Sequence, residues 1–313
     1  MKILINGFGS IGQRHYKNLK ALGFSDIYVF DINKKRLKNK SIKTVSNVTI
    51  ETLKDFDVVM ICNPNNAHVK SASAAVKAGC HVFIEKPLSH STQGIKELIK
   101  LAKQKKAITM VACNMRFHPC LKFIKKYIDA GKLGRIKLIN HYFGYYLPKW
   151  RPGQDYRKNY AAKRATGGGI ILDDIHEFDL LFWLNKFSEV TNSSVIATKL
   201  SDLQIETEDV GVAAFTFKNG SYGFVGCDYL QNQYTRTCEV IGSEGKLSWD
   251  FNRNIVWLEI NNQKKKVYES RKFKVNDMYV DELKYFLRCV KNKAKTFNDF
   301  ERGFYTLKYC LQR

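Results

Sequence analysis

Lys2-Ile3-Leu4-Ile5-Asn6-Gly7-Phe8-Gly9-Ser10-Ile11-Gly12 opens the chain with an apolar run that leads straight into a Gly-x-Gly-x-x-Gly loop. Glycine clusters also make ordinary turns, so the context carries the reading. After a strand and before a helix, Gly7 makes the tight turn, Gly9 lets the backbone approach a pyrophosphate, and Gly12 lets the helix pack closely. The first helical turn, through Ser10 and Ile11, then presents free N–H groups and a partial positive charge to the anion. Asp31 ends the next apolar strand, where a carboxylate accepts hydrogen bonds from ribose hydroxyls and repels a 2′-phosphate. NAD is therefore expected over NADP, with Lys34, Lys35 and Arg36 close enough to offset part of that repulsion.

Outward from the loop, short apolar runs alternate with helical patterns. Strands are expected at residues 2–5, 27–30, 58–62, 82–84 and 108–113. Ile11, His15, Leu19 and Leu22 fall on one helical face that ends at Gly23, and Ile95, Leu98, Ile99 and Ala102 on another. This is an α/β pattern, a doubly wound parallel Rossmann sheet over residues 1–118. The period then changes. A helix near 121–130 and a strand near 136–146 precede strands at 210–217 and 222–229, joined at Asn219-Gly220, a dipeptide suited to the positive φ angles of a tight hairpin. Further strands near 236–241, 246–250 and 255–260 predict a second α/β domain, residues 119–313, with a mainly antiparallel sheet. Helices are expected at 278–292 and 297–311.

The chain carries 52 Lys and Arg against 29 Asp and Glu, a formal charge of +23, which attracts anions. The cations are scattered, with short runs at Lys34 to Arg36, Lys103 to Lys106 and Lys264 to Lys266 that read as solvated faces. No nucleic-acid signature accompanies them, so no nucleic-acid partner is expected. Eight cysteines include no Cys-x-x-Cys pair and read as reduced core residues. No stretch approaches the ~20 apolar residues of a membrane span, and no secretion signal leads the sequence, so a cytoplasmic protein without a membrane partner is expected. The seven histidines show no His-x-x-x-His pairing, so no metal is expected, and the nucleophile elbow of serine hydrolases is missing.

At Ile84-Glu85-Lys86-Pro87 a second motif appears. The others that belong with it are Asn63-Pro64 with His68, Asn114 with Arg116-Phe117-His118-Pro119, the turn Gly131 to Gly134, and Gly167-Gly168-Gly169 followed by Asp173, His176 and Asp179. With these the chain resembles the glucose-fructose oxidoreductase, inositol dehydrogenase and MocA family of nicotinamide-dependent sugar oxidoreductases over nearly its whole length. Each motif alone is weak, and together they are specific.

The resemblance implies that Lys86 stands beside the nicotinamide, where its ammonium stabilises developing alkoxide charge. It places Asn63, Pro64, His68 and Glu85 at the cofactor, and Asn114 with Arg116 at the substrate. His176 is the acid/base candidate, since oxidising a secondary alcohol releases a proton and imidazole titrates near neutral pH. Asp173 lies three residues before it, whereas the family's commonest spacing is four, which leaves open whether Asp173 or Asp174 assists the ring. Both aspartates also suit helix capping, and the three glycines a flexible loop.

Trp150, Arg151, Tyr156 and Arg157 belong to a stretch that mixes aromatics with cations before the triple glycine. Aromatic faces stack on sugar rings and arginine holds carboxylate or phosphate. The stretch looks like a substrate loop of sugar dehydrogenases linked to surface-glycan and nonulosonate synthesis; an oligomer contact is the alternative. The leading expectation is hydride transfer between NAD and a hydroxyl or carbonyl carbon of a sugar, of an anionic kind, by a homodimer or homotetramer. Two others stand beside it: a non-catalytic NAD-sensing protein of the same fold, and nucleic-acid binding that collapses with salt.

Overall fold

The computed structural model describes residues 1–38 and 41–312. It divides into two units, Met1–Cys113 with Tyr279–Leu307, and Asn114–Met278 with Lys308–Arg313.

In the first unit the chain runs β1 (Ile3–Asn6), α1 (Ser10–Ala21), β2 (Ile27–Phe30), β3 (Lys43–Thr44), α2 (Ile50–Leu53), β4 (Val58–Ile61), α3 (His68–Lys77), β5 (His81–Glu85), α4 (Ile95–Gln104) and β6 (Thr109–Ala112). The strands form one six-stranded sheet in the order β3-β2-β1-β4-β5-β6. Every pair is parallel. Ile3, Leu4, Ile5 and Val58 to Ile61 are all buried, as strands covered on both faces must be, which is why these runs are apolar rather than alternating. In α4, Ile95, Leu98 and Ala102 are buried at helical spacing, with Glu97 in the first turn and Lys103 in the last complementing the helix dipole.

Helical patterns near the C-terminus become α8 (Val275–Lys291) and α9 (Phe300–Cys310), and here the expected continuous domain over 119–313 does not hold. Tyr279–Leu307 belongs with the parallel sheet. Thr296 Oγ1 donates to the Thr109 carbonyl at 2.6 Å, Asn298 Nδ2 to that of Val111 at 2.9 Å, and the Val111 amide returns a 2.8 Å bond to Asn298. These bonds satisfy backbone groups of β6, the last strand in the order of the sheet. Phe286 packs against Phe83 of β5 at 5.4 Å between ring centres.

The second unit contains α5 (Pro119–Asp129), β7 (Ile136–Gly144), α6 (Ile170–Asp173), α7 (His176–Leu184), β8 (Val190–Thr198), β9 (Val210–Phe217), β10 (Tyr222–Asp228), β11 (Thr235–Gly242), β12 (Lys246–Asp250), β13 (Ile255–Ile260) and β14 (Gln263–Glu269). These strands form an eight-stranded sheet, β14-β13-β12-β11-β7-β10-β9-β8, antiparallel except between β7 and β10. The β9–β10 hairpin turns at Asn219-Gly220, but Gly220 alone takes a positive φ, 79°. Asn219 instead uses its side chain, which accepts from the Ser221 amide at 3.1 Å. β11 alternates strictly, with Arg236, Cys238 and Val240 inward. Against the sheet lies α7, whose residues are buried except at Trp183, so it is a core helix with no polar face.

Candidate active site

All strands of the first sheet point the same way, so the residues that follow their C-terminal ends share one edge. Gly7 follows β1, Asp31 follows β2, Asn63 and Pro64 lie just beyond β4, and Lys86 follows β5. The chain crosses from β3 back over to β4 beside β1, and the crevice at such a reversal is where doubly wound sheets take ligands.

At that edge the glycine loop has one open position and one closed. A Cβ on Gly12 would lie 2.0 Å from the Gly7 carbonyl oxygen, so the close approach of α1 to the loop excludes any side chain. On Gly9 the nearest atom to a Cβ would be Arg36 Nη1 at 4.0 Å. Gly9 caps α1 with no side-chain hydrogen bond, leaving the first-turn N–H groups for an anion. Asn63 Nδ2 donates to Ser71 Oγ at 2.8 Å, while its buried Oδ1 has no hydrogen-bond partner among the described residues. An open cradle, a bare helix start and an orphaned acceptor together fit a dinucleotide.

Asp31 is more than a ribose acceptor. Only 3% exposed, it accepts from the Phe8 amide at 2.7 Å, the Asn33 amide at 2.7 Å and Arg36 Nη1 at 3.2 Å. Two other expected cofactor contacts are turned to the protein. Glu85 Oε1 accepts from His15 Nε2 of α1 at 2.6 Å, tying β5 to the glycine helix. His68 is fully buried, with Nδ1 2.8 Å from the Pro87 carbonyl and Nε2 2.9 Å from that of Asn63. Burial lowers its pKa, against those backbone contacts. His68 through both ring nitrogens and Glu85 through Oε1 thus tie the edge together.

The second unit carries His176 as the first residue of α7, 9% exposed. Asp173, at the end of α6, accepts from the hydroxyls of Tyr160 and Tyr229, the latter at 3.1 Å. Asp174 is committed elsewhere, to a buried ion pair with Arg236. Nor is the triple glycine a merely flexible loop: a Cβ on Gly168 would lie 2.4 Å from the Tyr160 carbonyl, and one on Gly169 2.3 Å from Glu208 Oε1. The glycines let this backbone and carboxylate close around the start of α6.

Of the expected substrate residues, Arg116 is the clearest correction. Its side chain is fully buried and grips Asp179 with two bonds, Nε to Oδ2 and Nη2 to Oδ1, both 2.7 Å. Its guanidinium also faces the rings of Trp183 and Phe187, so it holds α7 in place. Asn114 is buried in the same turn, Asn114–Phe117. Arg157 spends its fork on Asp155, at 2.8 and 2.9 Å, and reaches Gln204 with Nη1. Tyr156 Oη accepts from the Gln204 amide, and Trp150 Nε1 donates to the Tyr145 carbonyl at 2.9 Å while its ring packs on Phe143 and Tyr229. Arg151 differs from all of these. Its guanidinium lies 5.5 Å from the centre of the Tyr160 ring and has no carboxylate partner among the described residues.

Residues 1–113 match the model of an oxidoreductase family with an NAD-binding Rossmann fold, and residues 121–248 match the GFO/IDH/MocA C-terminal domain. The chain belongs to this GFO/IDH/MocA oxidoreductase family. It is an NAD-dependent oxidoreductase. The chain is similar to a myo-inositol 2-dehydrogenase of Thermotoga maritima, 27% identical over 307 residues, with 93% of this chain and 89% of the relative covered. An NAD(+)-dependent scyllo-inositol 2-dehydrogenase of Bacillus subtilis is 26% identical over 307 residues, covering 93% and 86%. Among solved structures, levoglucosan dehydrogenase in complex with NADH superposes with a TM-score of 0.86 at 20% identity, covering 98% of this chain and 94% of that one. A UDP-N-acetylglucosamine 3-dehydrogenase from Acidithiobacillus ferrooxidans gives 0.81 at 19%, covering 100% and 96%. At such identity the structures show the fold.

Within this GFO/IDH/MocA chain, sequence reasoning passed over Arg236 and Glu177. A signal was present for the first: an arginine at an inward position of an alternating strand announces a buried cation.

Proposed function

We propose that the protein transfers a hydride between NAD and a secondary hydroxyl or carbonyl carbon of a sugar or cyclitol. The observation that carries the proposal is the C-terminal edge of the parallel sheet, where an open glycine cradle, Asp31, Asn63 and Lys86 follow neighbouring strands. Bound NAD supplies the hydride acceptor. Lys86 is given the role of hydrogen-bonding the reacting oxygen and stabilising its developing charge. His176 takes the hydroxyl proton in oxidation and returns it in reduction. Asp173, held by two tyrosine hydroxyls, keeps a carboxylate near the start of α7 to favour the imidazolium that forms.

The inositols named for the sequence relatives support a polyhydroxylated ring as substrate. Within that class we favour an anionic member, phosphorylated, acidic or nucleotide-linked, of the kind surface-glycan and nonulosonate synthesis uses. Arg151 and the charge of +23 support that preference. A panel of myo-inositol, scyllo-inositol, levoglucosan, UDP-N-acetylglucosamine and sugar phosphates, followed by NADH absorbance, tests the reading. Turnover of one of these sugars, abolished in Lys86→Ala and His176→Ala, is expected. Full activity in both variants overturns the roles, and tight NADH binding with no turnover across the panel overturns the proposed substrate class.

Self-association is proposed through the open face of the second sheet. Ile196, Val212, Tyr222 and Phe224 are 63%, 50%, 53% and 41% exposed. The strand registers put them on one face of β8, β9 and β10, and a patch of this kind marks an interaction surface. Light scattering is expected to give a dimer or tetramer, dissociated by Phe224→Glu.

A further inference from the structure

Arg236 faces inward from β11, on a sheet side it shares with Cys238 and Val240. Its Nη2 donates to Asp174 Oδ1, its Nε lies 2.9 Å from Glu177 Oε1, and its Nη1 lies 3.3 Å from Met115 Sδ. The guanidinium stacks 4.4 Å from the centre of the Phe143 ring. All three charged side chains are buried, at 7% exposure or less. Burying such a cluster is rarely a route to stability, since apolar residues of similar volume do as well or better. Its placement in the chain is more informative.

Asp174 and Glu177 flank His176, two positions before it and one after. Asp174 sits where α6 has ended and α7 has not begun, at φ −112° and ψ 41°. Across the break the Glu177 amide reaches the Asp174 carbonyl only at 3.5 Å, while the Asp174 amide bonds the Ile170 carbonyl at 2.8 Å. One guanidinium therefore clamps both sides of the break from which His176 projects. Electrostatics agrees with the geometry. Burial opposes Arg236's charge, but Asp174 and Glu177 outweigh it and hold its pKa above the ordinary value. Burial pushes Glu177's carboxyl well up, reinforced by Asp174 and opposed by Arg236. Arg236 thus keeps its charge against Asp174, while burial works against a second carboxylate charge at Glu177.

We propose that Arg236 is the positioning residue of His176: by holding Asp174 and Glu177 together it fixes the α6–α7 break and the direction in which the imidazole leaves the backbone. This rests on the reading of His176 as the proton-handling group. Arg236 meets two carboxyl groups, Asp174 through an Nη2 hydrogen bond and Glu177 through a 2.9 Å approach of Nε that makes no aligned hydrogen bond, whereas a lysine offers one point charge.

The test is a spectrum of the full chain labelled with ¹³C and ¹⁵N at histidine, with the His176 signal assigned by its loss in His176→Gln. In Arg236→Lys, charge is kept and the double clamp is lost. His118 and His141, whose pKa values Arg236 helps to lower, report that the charge persists, and His15, His68, His81 and His90 of the first unit serve as controls. The His176 signal is expected to split or broaden while the other six hold. With NAD and the panel sugar that wild type oxidises, kcat should fall at least tenfold with KM within twofold. Should Arg236→Lys fail to fold, Asp174→Asn removes one arm of the clamp and is read in the same way. An unchanged His176 signal in the folded variants overturns the proposal. Wild-type turnover by His176→Gln would instead overturn the functional reading, leaving the spectrum to decide on positioning.

Discussion

Asp31 accepts a 2.7 Å hydrogen bond from the amide of Phe8, inside the glycine loop. The carboxylate placed to receive a ribose is thus also a strut for the phosphate cradle. Losing it leaves the Phe8 and Asn33 amides without that acceptor and Arg36 without its partner. Asp31→Ala is expected to cost about 2 kcal/mol of stability as well as weakening NADH at least tenfold in a fluorescence titration. Weakened binding with an unchanged urea midpoint would refute the strut.

Gly9 and Gly12 separate binding from folding. A methyl on Gly9 meets nothing closer than 4.0 Å, at an ordinary φ of −71°, so Gly9→Ala should melt as wild type does. It should nonetheless lose about 1.4 kcal/mol or more of NADH affinity, tenfold, because the added group occupies the path of the phosphates. Gly12→Ala should lose stability and binding together, since its Cβ would collide with a carbonyl oxygen at 2.0 Å. Equal melting of the two variants would contradict this division.

What the chain disclosed by itself follows from local chemistry. Strands in the middle of the parallel sheet are largely apolar, so five of its strands and the loop could be read directly, whereas β3, two exposed polar residues, could not. β8 and β14, the two edges of the second sheet, could not. Val190–Thr198 is mostly exposed, and Gln263–Glu269 carries Lys264, Lys265 and Lys266, which read as a solvated run. Water-facing edges erase the period-2 signal, and the lysines of β14 also resist unwanted pairing. The packing of α8 and α9 was hidden for another reason: the bonds of Thr296 and Asn298 to β6 span 187 residues of chain. Arg116 and Arg157 read in the sequence as cations available to a substrate, and only the fold reveals that Asp179 and Asp155 pair with them.

Arg116 should therefore behave as a structural residue. Arg116→Ala strands Asp179, 1% exposed, without its cation, and is expected to cost about 3–5 kcal/mol. Arg116→Lys should lower the melting temperature less and leave the sugar KM within twofold. A tenfold higher KM at unchanged melting temperature would restore Arg116 to the substrate.

His141 and His118 give the second unit an acid limit. Burial, helped by Arg236 and opposed by Asp174, pushes His141 down to about 3. Burial and Arg236 likewise push His118 down to about 4, against a hydrogen bond to Asn254. An unfolded histidine titrates near 6.5, so below that pH the unfolded chain binds protons that the native rings refuse. Stability is then fully present above pH about 6.5 and falls as pH drops toward the native values, by about 1.4 kcal/mol per pH unit for each ring. Glu177, with its carboxyl raised, acts with the opposite sign and would blur the wild-type curve. Comparing wild type with His141→Gln largely cancels that contribution. From pH 6.5 to 5, urea unfolding should show wild type losing about 2 kcal/mol more than the variant. Parallel curves would mean that His141 is protonated in the native state, and that the low-dielectric site around Arg236 is wetter than its burial indicates.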